Sequence, residues 1–179
     1  MKRIFLIRHA SAEPRENRDE DFSRALVEKG KEEAFRVGCL MNNLGIKPEL
    51  AVVSSAKRVK QTLAFIFKGY GGTIKTAEYK RLFYGSDRDY LDIIREQNDT
   101  VDAILLVGHN PSMRDLVNFL MNGSVVNLTF PKASLYAFEL NCETWEGLTG
   151  DVAALKLFLR RQDIKKLNSE YLQPNEHNL

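Results

Sequence analysis

An arginine and a histidine directly follow a short apolar run near the start of the chain. The run, Ile4 to Ile7, is continuous, aliphatic and bounded by charged residues, which predicts a short buried strand. In a parallel α/β sheet, ligands bind outside the carboxyl ends of the strands. The predicted strand therefore delivers Arg8 and His9 to the place where a binding site is expected.

A second histidine stands in an equivalent position. The apolar run from Ile104 to Val107 predicts another buried strand, and it leads directly into Gly108 and His109. The chain has 3 histidines, and the third, His177, lies in a polar tail. If the two predicted strands are neighbours, both remaining imidazoles meet at one edge of the sheet.

A second arginine belongs to the same edge. A predicted strand at 51–53 is followed by Ser54 and Ser55, either of which can cap a helix at about 56–68. Arg58 falls in the first turn of that helix, where a cation opposes the helix dipole. An ordinary exposed cation is one interpretation of Arg58, and a bound anion explains its position better.

The chemistry of this set is that of a phosphoryl site. Guanidinium groups bind phosphate oxygens bidentately, and helix N-termini offer further N–H donors. An imidazole beside two arginines resists protonation, so it stays neutral and nucleophilic. The arginines also stabilise charge on the phosphoryl oxygens during transfer. His109, on the opposite wall, can hydrogen-bond an oxygen in the transition state, and no metal is required.

Strand and helix patterns alternate along the chain and predict an α/β fold. We expect a three-layer α/β/α sandwich with a mostly parallel central sheet and an antiparallel edge near the C-terminus. The predicted helices span about 27–44, 56–68 and 87–97, and a fourth starts at Asn110 and Pro111; the later strands lie at 73–77, 103–107, 134–140 and 153–159. Gly69 is expected to end the second helix. Residues 1–167 are expected to form one domain, and 168–179 a polar tail.

Two further groups of side chains have a structural and a functional interpretation. The polar loop 12–21, together with Arg24, is expected to be solvated, although Arg15, Arg18, Asp21 and Arg24 could reach a substrate. Core packing is expected for most of four aromatic residues that could otherwise form a recognition patch, namely Tyr79, Phe83, Tyr84 and Tyr90.

Composition restricts the class of protein. Lysine and arginine number 26 against 24 aspartates and glutamates, so a nucleic-acid or membrane partner is not expected. The N-terminal apolar run is too short for a secretory signal, and no run reaches the length of a membrane span. Cys39 and Cys142 have no metal or redox spacing and are expected to be free thiols, which suits a cytoplasmic protein.

Three segments, in chain order, resemble motifs of one known family. Arg8-His9-Ala10 resembles the Arg-His-Gly signature of the histidine phosphatase superfamily, also called phosphoglycerate mutase-like. Residues 53–62 resemble the second motif of that family, whose arginine maps onto Arg58, and residues 107–113 resemble its second-histidine motif. Residues 21–30, 132–135 and 155–159 are similar to segments of SixA-type protein phosphohistidine phosphatases.

The resemblance implies a division of roles. In this family the first histidine becomes phosphorylated, and water then releases phosphate. By this resemblance His9 is the nucleophile, Arg8 and Arg58 clamp the phosphoryl group, and His109 stabilises the transition state. It implies no metal and no other cofactor.

Two departures from the family pattern have consequences, one for the turn after the first strand and one for the substrate. Ala10 replaces the usual glycine, so the turn must not require a positive φ. The glutamate that supplies the general acid in the mutase branch has no clear counterpart, and Glu78 and Asp87 are the nearest candidates. An alkoxide leaves poorly without an acid, whereas the imidazole of phosphohistidine does not need a dedicated one. The missing acid therefore favours phosphohistidine.

The leading hypothesis is a metal-independent phosphatase that dephosphorylates phosphohistidine in a protein. The partner would be a phosphotransfer domain of signal transduction or a phosphocarrier. Two alternatives are a small-molecule phosphomonoesterase or mutase, which requires a nearby carboxylic acid, and a non-catalytic phosphate- or phosphoprotein-binding module. A metal hydrolase built on His9 and His109 is disfavoured, because two histidines underfill a catalytic zinc site. The sequence indicates no oligomeric state.

Overall fold

A computed structural model describes residues 1–14, 21–123 and 129–171. The strands of these residues are β1 (Lys2–Arg8), β2 (Leu50–Ser54), β3 (Lys75–Tyr79), β4 (Ala103–Gly108), β5 (Leu135–Leu140) and β6 (Ala153–Leu159). The helices are α1 (Glu28–Asn43), α2 (Lys57–Tyr70), α3 (Arg81–Tyr84), α4 (Asp87–Arg95), α5 (Ser112–Leu120) and α6 (Arg161–Tyr171). The sequence did not predict α3 or α6.

The strands form one mixed sheet, which confirms the predicted fold class. Their order is β3-β2-β4-β1-β5-β6. The first four strands in this order are parallel, whereas β5 runs antiparallel to both β1 and β6. The predicted antiparallel edge near the C-terminus is thus present, and β1 lies between β4 and β5.

Helices cover both faces of the sheet. On one face, Ile7 and Val107 pack with residues of α1, α2 and α6, such as Val37. On the other face, Leu6 and Leu106 pack with residues of α4 and α5. Because both sides of the central strands are buried, their sequences are continuous apolar runs without polar alternation.

Helices α1 and α2 approach closely through two glycines. A Cβ atom on Gly38 would lie 2.0 Å from the carbonyl oxygen of Ile66, and one on Gly69 would lie 2.0 Å from that of Phe35. Gly69 is therefore inside α2, and the prediction that it ends the helix is wrong. The helix ends one residue later, before Gly71, which has a φ of 75°. This contact fixes the helix that carries Arg58.

Two other boundaries differ from the sequence prediction. Helix α5 begins at Ser112 with Pro111 as its N-cap residue, and the Asn110–Pro111 peptide bond is cis. Pro111 therefore precedes the helix, and Asn110 is not its cap. Near the C-terminus, α6 continues past the predicted tail boundary at 168, and the buried Asn168 donates a hydrogen bond to Arg36 O at 2.7 Å.

Cys39 and Cys142 are free, as predicted. Among residues 1–14, 21–123 and 129–171, no helix is long and apolar enough to cross a membrane. His177 lies outside the described residues.

Candidate active site

The two strand-end histidines lie side by side. Strands β1 and β4 are paired in parallel with Arg8 opposite Gly108. The residues that follow, His9 and His109, therefore lie at the same edge of the sheet. The backbone N–H of His9 donates to Gly108 O at 3.0 Å. The ring centroids of His9 and His109 are 5.3 Å apart. The topology of the sheet therefore brings together the two imidazoles that the sequence predicted at its edge.

The contacts of His9 fix which ring nitrogen carries the proton. Nδ1 lies 2.8 Å from Ala10 O, and a carbonyl oxygen can only accept, so Nδ1 donates. Nε2 lies 3.3 Å from Nε of Arg58, which can only donate. Burial, and next the neighbouring His109, lower the pKa of His9 well below its ordinary value. His9 is thus neutral near neutral pH, with its lone pair on Nε2.

Arg58 joins the two histidines. Its side chain is only 5% exposed, so the interpretation as an ordinary surface cation is wrong. The guanidinium donates from Nε to His9 and from NH2 to Nδ1 of His109 at 3.0 Å. It also donates to the backbone and the carboxylate of Asp21. A buried guanidinium in this position is a ready site for phosphoryl oxygens.

His109 is held by contacts on every side. Its backbone N–H donates to the hydroxyl of Tyr90 at 3.1 Å, and Nε2 lies 2.9 Å from Oγ of Ser54. The ring of Phe83 packs edge-on against it, 5.6 Å away. Burial, followed by the charge of Arg58, lowers the pKa of His109 to about 3, and Asp21 partly opposes this. The ring is therefore neutral in the free protein.

Ser54 has a role that the sequence did not reveal. The N-cap residue of α2 is Ala56, and its side chain makes no capping bond, so the prediction of a serine cap is wrong. Ser54 is the last residue of β2 and is fully buried. Its hydroxyl contacts His109 at 2.9 Å and accepts a longer bond of 3.4 Å from the N–H of Ala56.

Arg8 lies at the margin of this cluster. Its NH1 donates to Phe130 O at 2.9 Å, and its Nε is buried without a partner among the described residues. The charge of Arg8 contributes, after larger causes, to the lowered pKa of both His9 and His109. The structure thus brings three of the predicted site residues into direct contact and places the fourth beside them.

Next to Arg8 is a shallow pocket of about 400 Å³. Its lining includes Pro131, Lys132, Arg160 and Arg161. Burial, and then the charge of Arg8, lower the pKa of Lys132. Arg160 and Arg161 are paired with carboxylates, at 2.9 Å each. The pocket extends the positive character of the site beyond the histidines.

Two residues of the segment expected to be solvated belong to the site. The carboxylate of Asp21 contacts NH2 of Arg58 at 3.4 Å and NH2 of Arg24 at 2.6 Å. Both Asp21 and Arg24 are largely buried, so the expectation of a solvated loop is wrong for them. Residues 15–20, with Arg15 and Arg18, lie outside the described part of the chain.

The other carboxylates considered from the sequence, Glu78 and Asp87, form no ion pair with Arg8 or Arg58. Glu78 is half exposed and pairs with Lys60 at 3.8 Å, and Asp87 lies in the first turn of α4. Within the described ranges, no group of three or more histidine, cysteine, aspartate or glutamate side chains is arranged to hold a metal ion.

The aromatic residues divide between core and site. Tyr90 is fully buried, as expected for core packing, but its hydroxyl also bonds the backbone of His109. Phe83 packs against both Arg58 and His109. Tyr84 is 81% exposed, and Tyr79 accepts a hydrogen bond from Gln97. Sequence spacing could not distinguish core residues from site residues among these four, because one ends an edge strand and the others lie in short helices.

The turn after β1 accommodates alanine in place of glycine. Ala10 is fully buried, and its N–H donates to Oγ1 of Thr62 at 3.1 Å. Positive φ values occur elsewhere in the described residues, at Asn122 and Ala133 for example, but not at Ala10. The turn therefore has the conformation that the substitution requires.

Comparisons with known proteins show what the whole chain is similar to. No family model matches the chain. An uncharacterized chloroplast protein of Arabidopsis thaliana is 27% identical over 158 residues, which cover 83% of this chain and 72% of that protein.

Solved structures share the fold over most of their length. A candidate phosphohistidine phosphatase SixA from Agrobacterium tumefaciens is 26% identical with a TM-score of 0.75, and the match covers 89% of this chain and 97% of that one. A protein histidine phosphatase SixA complexed with tungstate is 17% identical with a TM-score of 0.75, over 90% and 99% of the two chains. More distant neighbours, at 13–16% identity, include phosphatases of small molecules. The predicted resemblance to the histidine phosphatase superfamily and its SixA type is thus confirmed.

Proposed function

We propose that this chain, which has the fold of the histidine phosphatase superfamily, is a metal-independent phosphatase that removes the phosphoryl group from phosphohistidine in a protein. The observation that carries the proposal is the state of His9. Its Nδ1–H is committed to the carbonyl of Ala10, and its Nε2 lone pair faces the guanidinium of Arg58. An unprotonated nitrogen beside a phosphate-binding cation is what a nucleophile for phosphoryl transfer requires.

The first step is an in-line displacement at phosphorus. Nε2 of His9 forms a bond to phosphorus as the bond to the substrate nitrogen breaks, and the departing imidazole keeps that electron pair. It leaves neutral when its other ring nitrogen carries a proton. His9 becomes positively charged as it is phosphorylated, and the Ala10 carbonyl, an acceptor at 2.8 Å, stabilises the N–H of that ring.

The second step releases phosphate. A water oxygen bonds to phosphorus while the P–Nε2 bond breaks, and the electron pair returns to Nε2. One proton of the water goes to solvent or stays on the phosphate product, and His9 is restored with its proton on Nδ1. Arg58 and Arg8 stabilise the charge on the phosphoryl oxygens in both steps, since their guanidinium groups do not lose their charge at neutral pH.

The surroundings of the site support the proposal of a protein partner. Lys132 and Arg8 extend the positive surface into the neighbouring pocket of about 400 Å³. A small phosphate ester would fill the histidine cluster alone, whereas a folded protein can also place acidic side chains over this pocket. A phosphotransfer domain or a phosphocarrier is therefore the proposed substrate.

A small-molecule phosphomonoesterase is the second candidate, and Asp21 is the observation that favours it. Its carboxylate lies at the cluster and is a conceivable acid for an alkoxide leaving group. Both oxygens are, however, engaged by guanidinium groups, Oδ1 by Arg24 and Oδ2 by Arg58. We therefore favour a role for Asp21 as an anchor of Arg58 over a role as a proton donor.

The test compares substrates and traps the intermediate. The purified protein is incubated with a phosphocarrier labelled on histidine and, separately, with phosphoglycerate, and phosphate release is followed. We expect release from the phosphoprotein, an acid-labile label on His9, and loss of both in His9→Asn. Folded enzyme that hydrolyses only the ester would reverse the ranking. Folded enzyme that releases phosphate from neither would favour the binding module.

A further inference from the structure

We propose that Ser54 is a positioning residue that holds the His109 ring with its proton on Nε2, so that Nδ1 is the nitrogen presented to the phosphoryl group. The inference rests on the proposed function and concerns the same site. It goes further by naming a residue whose hydroxyl acts through His109, and by stating which nitrogen of His109 faces the substrate.

The tautomer follows from the two partners of the ring. NH2 of Arg58 lies 3.0 Å from Nδ1 of His109, and a guanidinium nitrogen can only donate. Nδ1 of the neutral ring is therefore an acceptor and carries no proton. The proton is on Nε2, and it is donated to Oγ of Ser54 at 2.9 Å. The reverse assignment would place two N–H groups against each other across 3.0 Å.

The position of Ser54 makes this contact firm. Ser54 ends β2, which pairs in parallel with β4, and His109 follows β4 directly. The hydroxyl is fully buried, as is nearly all of His109, so water does not replace the bond when it is lost. The rigid sheet thus sets the plane of the imidazole ring through a side chain on the neighbouring strand.

The contact with Ser54 also serves the ring when an oxyanion is bound, and the oxyanion then replaces NH2 of Arg58 as the partner of Nδ1. For Nδ1 to donate to a phosphoryl oxygen, it takes up one proton from solvent, and the ring becomes an imidazolium. Ser54 still accepts from Nε2–H in that form, so the ring keeps its orientation. The charged or titratable groups around the ring are Arg58 on α2, His9 and Arg8 at the end of β1, Asp21 and Arg24 in the loop before α1, and Tyr90 on α4. Of these groups, Asp21 favours protonation of the His109 ring. The arginines oppose protonation until the bound oxyanion neutralises their charge.

The first measurement reads the tautomer directly. Nitrogen-15 NMR of the free protein at about pH 7 is expected to show His109 with a protonated Nε2 and an unprotonated Nδ1. With tungstate bound, both nitrogens should be protonated. A free protein with its His109 proton on Nδ1 would overturn the proposal, whether or not the enzyme hydrolyses phosphohistidine.

The second measurement tests whether the Ser54 hydroxyl contributes to anion binding and to turnover. We expect Ser54→Ala to bind tungstate at least about fivefold more weakly and to lose about tenfold in kcat, since one buried bond to the ring is gone. The neighbouring Ser55→Ala is the matched control and should bind tungstate like the natural protein. Ser54→Thr keeps a hydroxyl and should recover most of the binding.

The outcomes separate this inference from the proposed function. If the natural protein binds tungstate and Ser54→Ala binds it within about twofold, the role of Ser54 is wrong and the proposed phosphatase stands. If the natural protein turns over no phosphohistidine, the proposed function fails, and the tautomer and the tungstate comparison still decide the role of Ser54. Folding of Ser54→Ala is checked by its NMR spectrum, and the tautomer measurement needs no variant.

Discussion

Nε of Arg58 and Nε2 of His9 are hydrogen-bonded at 3.3 Å, so the guanidinium points at the lone pair of the imidazole that we propose as the nucleophile. In the free protein this bond holds the imidazole in place. When a phosphoryl group arrives, the same donor lies where the oxygens of phosphorus come to rest. The substrate therefore replaces a contact that already exists, and little rearrangement is needed.

Replacing Arg58 with lysine tests this arrangement. A lysine is a point charge and cannot bond His9, His109 and Asp21 together. We expect kcat/KM to fall by about 100- to 1,000-fold, or about 3–4 kcal/mol in transition-state stabilisation. Steady-state kinetics with a phosphohistidine protein measures it. Lys60→Met on the same helix is the control, because Lys60 is half exposed. A loss of less than threefold in Arg58→Lys would contradict the assigned role.

Asp21→Asn distinguishes an anchor from a proton donor. Asparagine keeps the shape and the backbone bond to Arg58 but loses the ion pairs with Arg58 and Arg24. We expect about a three- to tenfold loss of kcat/KM that is similar for phosphohistidine and phosphate esters. A loss above about 100-fold for esters alone would identify Asp21 as a general acid and would support the phosphomonoesterase.

Acid should destabilise the protein through its buried histidines. The folded pKa of His109 is lowered to about 3, whereas an unfolded histidine titrates near its ordinary value of about 6.5. Between these values the unfolded chain binds more protons, so the free energy of unfolding decreases as the pH falls, by up to about 1.4 kcal/mol per pH unit for each such histidine. His9 acts in the same direction.

Urea titrations at about pH 7 and pH 5 measure this dependence. His109→Gln removes one titrating group, so its free energy of unfolding should fall less between the two values than that of the natural protein. Equal decreases in the two proteins would show that the folded state does not oppose protonation of His109.

Lys132→Met tests the positive pocket beside Arg8. Removing this cation should leave kcat within about twofold and raise KM for a phosphohistidine protein about fivefold, with a smaller effect at high salt. Lys156→Met is a matched control, because Lys156 lies on β6 and pairs with Glu139 at 2.8 Å. An equal change in KM for both variants, or none for Lys132→Met, would remove the pocket from substrate recognition.

Gly69→Ala should destabilise the fold although alanine favours helices. Its Cβ would lie 2.0 Å from the carbonyl oxygen of Phe35, so α1 and α2 must separate. We expect a loss of at least about 2 kcal/mol in the free energy of unfolding. Gly72→Ala is the control, since its Cβ meets only a tyrosine carbon at 3.9 Å. Thermal denaturation of both variants measures this loss of stability, and equal stability of the two would contradict the close packing of α1 and α2.

The strands and the histidine pair could be predicted because they depend on local pattern. Ile4 to Ile7 and Ile104 to Val107 are apolar throughout, as expected for strands that helices cover on both sides. The resemblance to the family motifs then implied that the residues after these strands share one site. Residues that lie at the ends of such strands meet by topology alone, which is why His9, His109 and Arg58 could be grouped before their geometry was known.

The remaining features depend on contacts that a single sequence does not display. Gly69 has the residue type of a helix end, but its function is the approach of a distant helix. Ser54 has the residue type of a cap, but its hydroxyl is used by His109, 55 residues away. Asp21 and Arg24 lie in a charged segment that is typical of solvent, and their burial follows only from pairing, of Asp21 with Arg58 and of Arg24 with Asp21. The polar helix α6 was missed because few of its positions are apolar.

The position of β1 in the sheet has a consequence for the protein while it is being synthesised. Strand β1 is an inner strand, although its neighbours β4 and β5 lie far along the chain and are synthesised much later than β1 itself. Until the chain has been made through Leu140, the strand that leads into His9 has at least one edge without a partner. Nascent chains and truncations that end before Leu140 should therefore be inert and prone to associate through that edge.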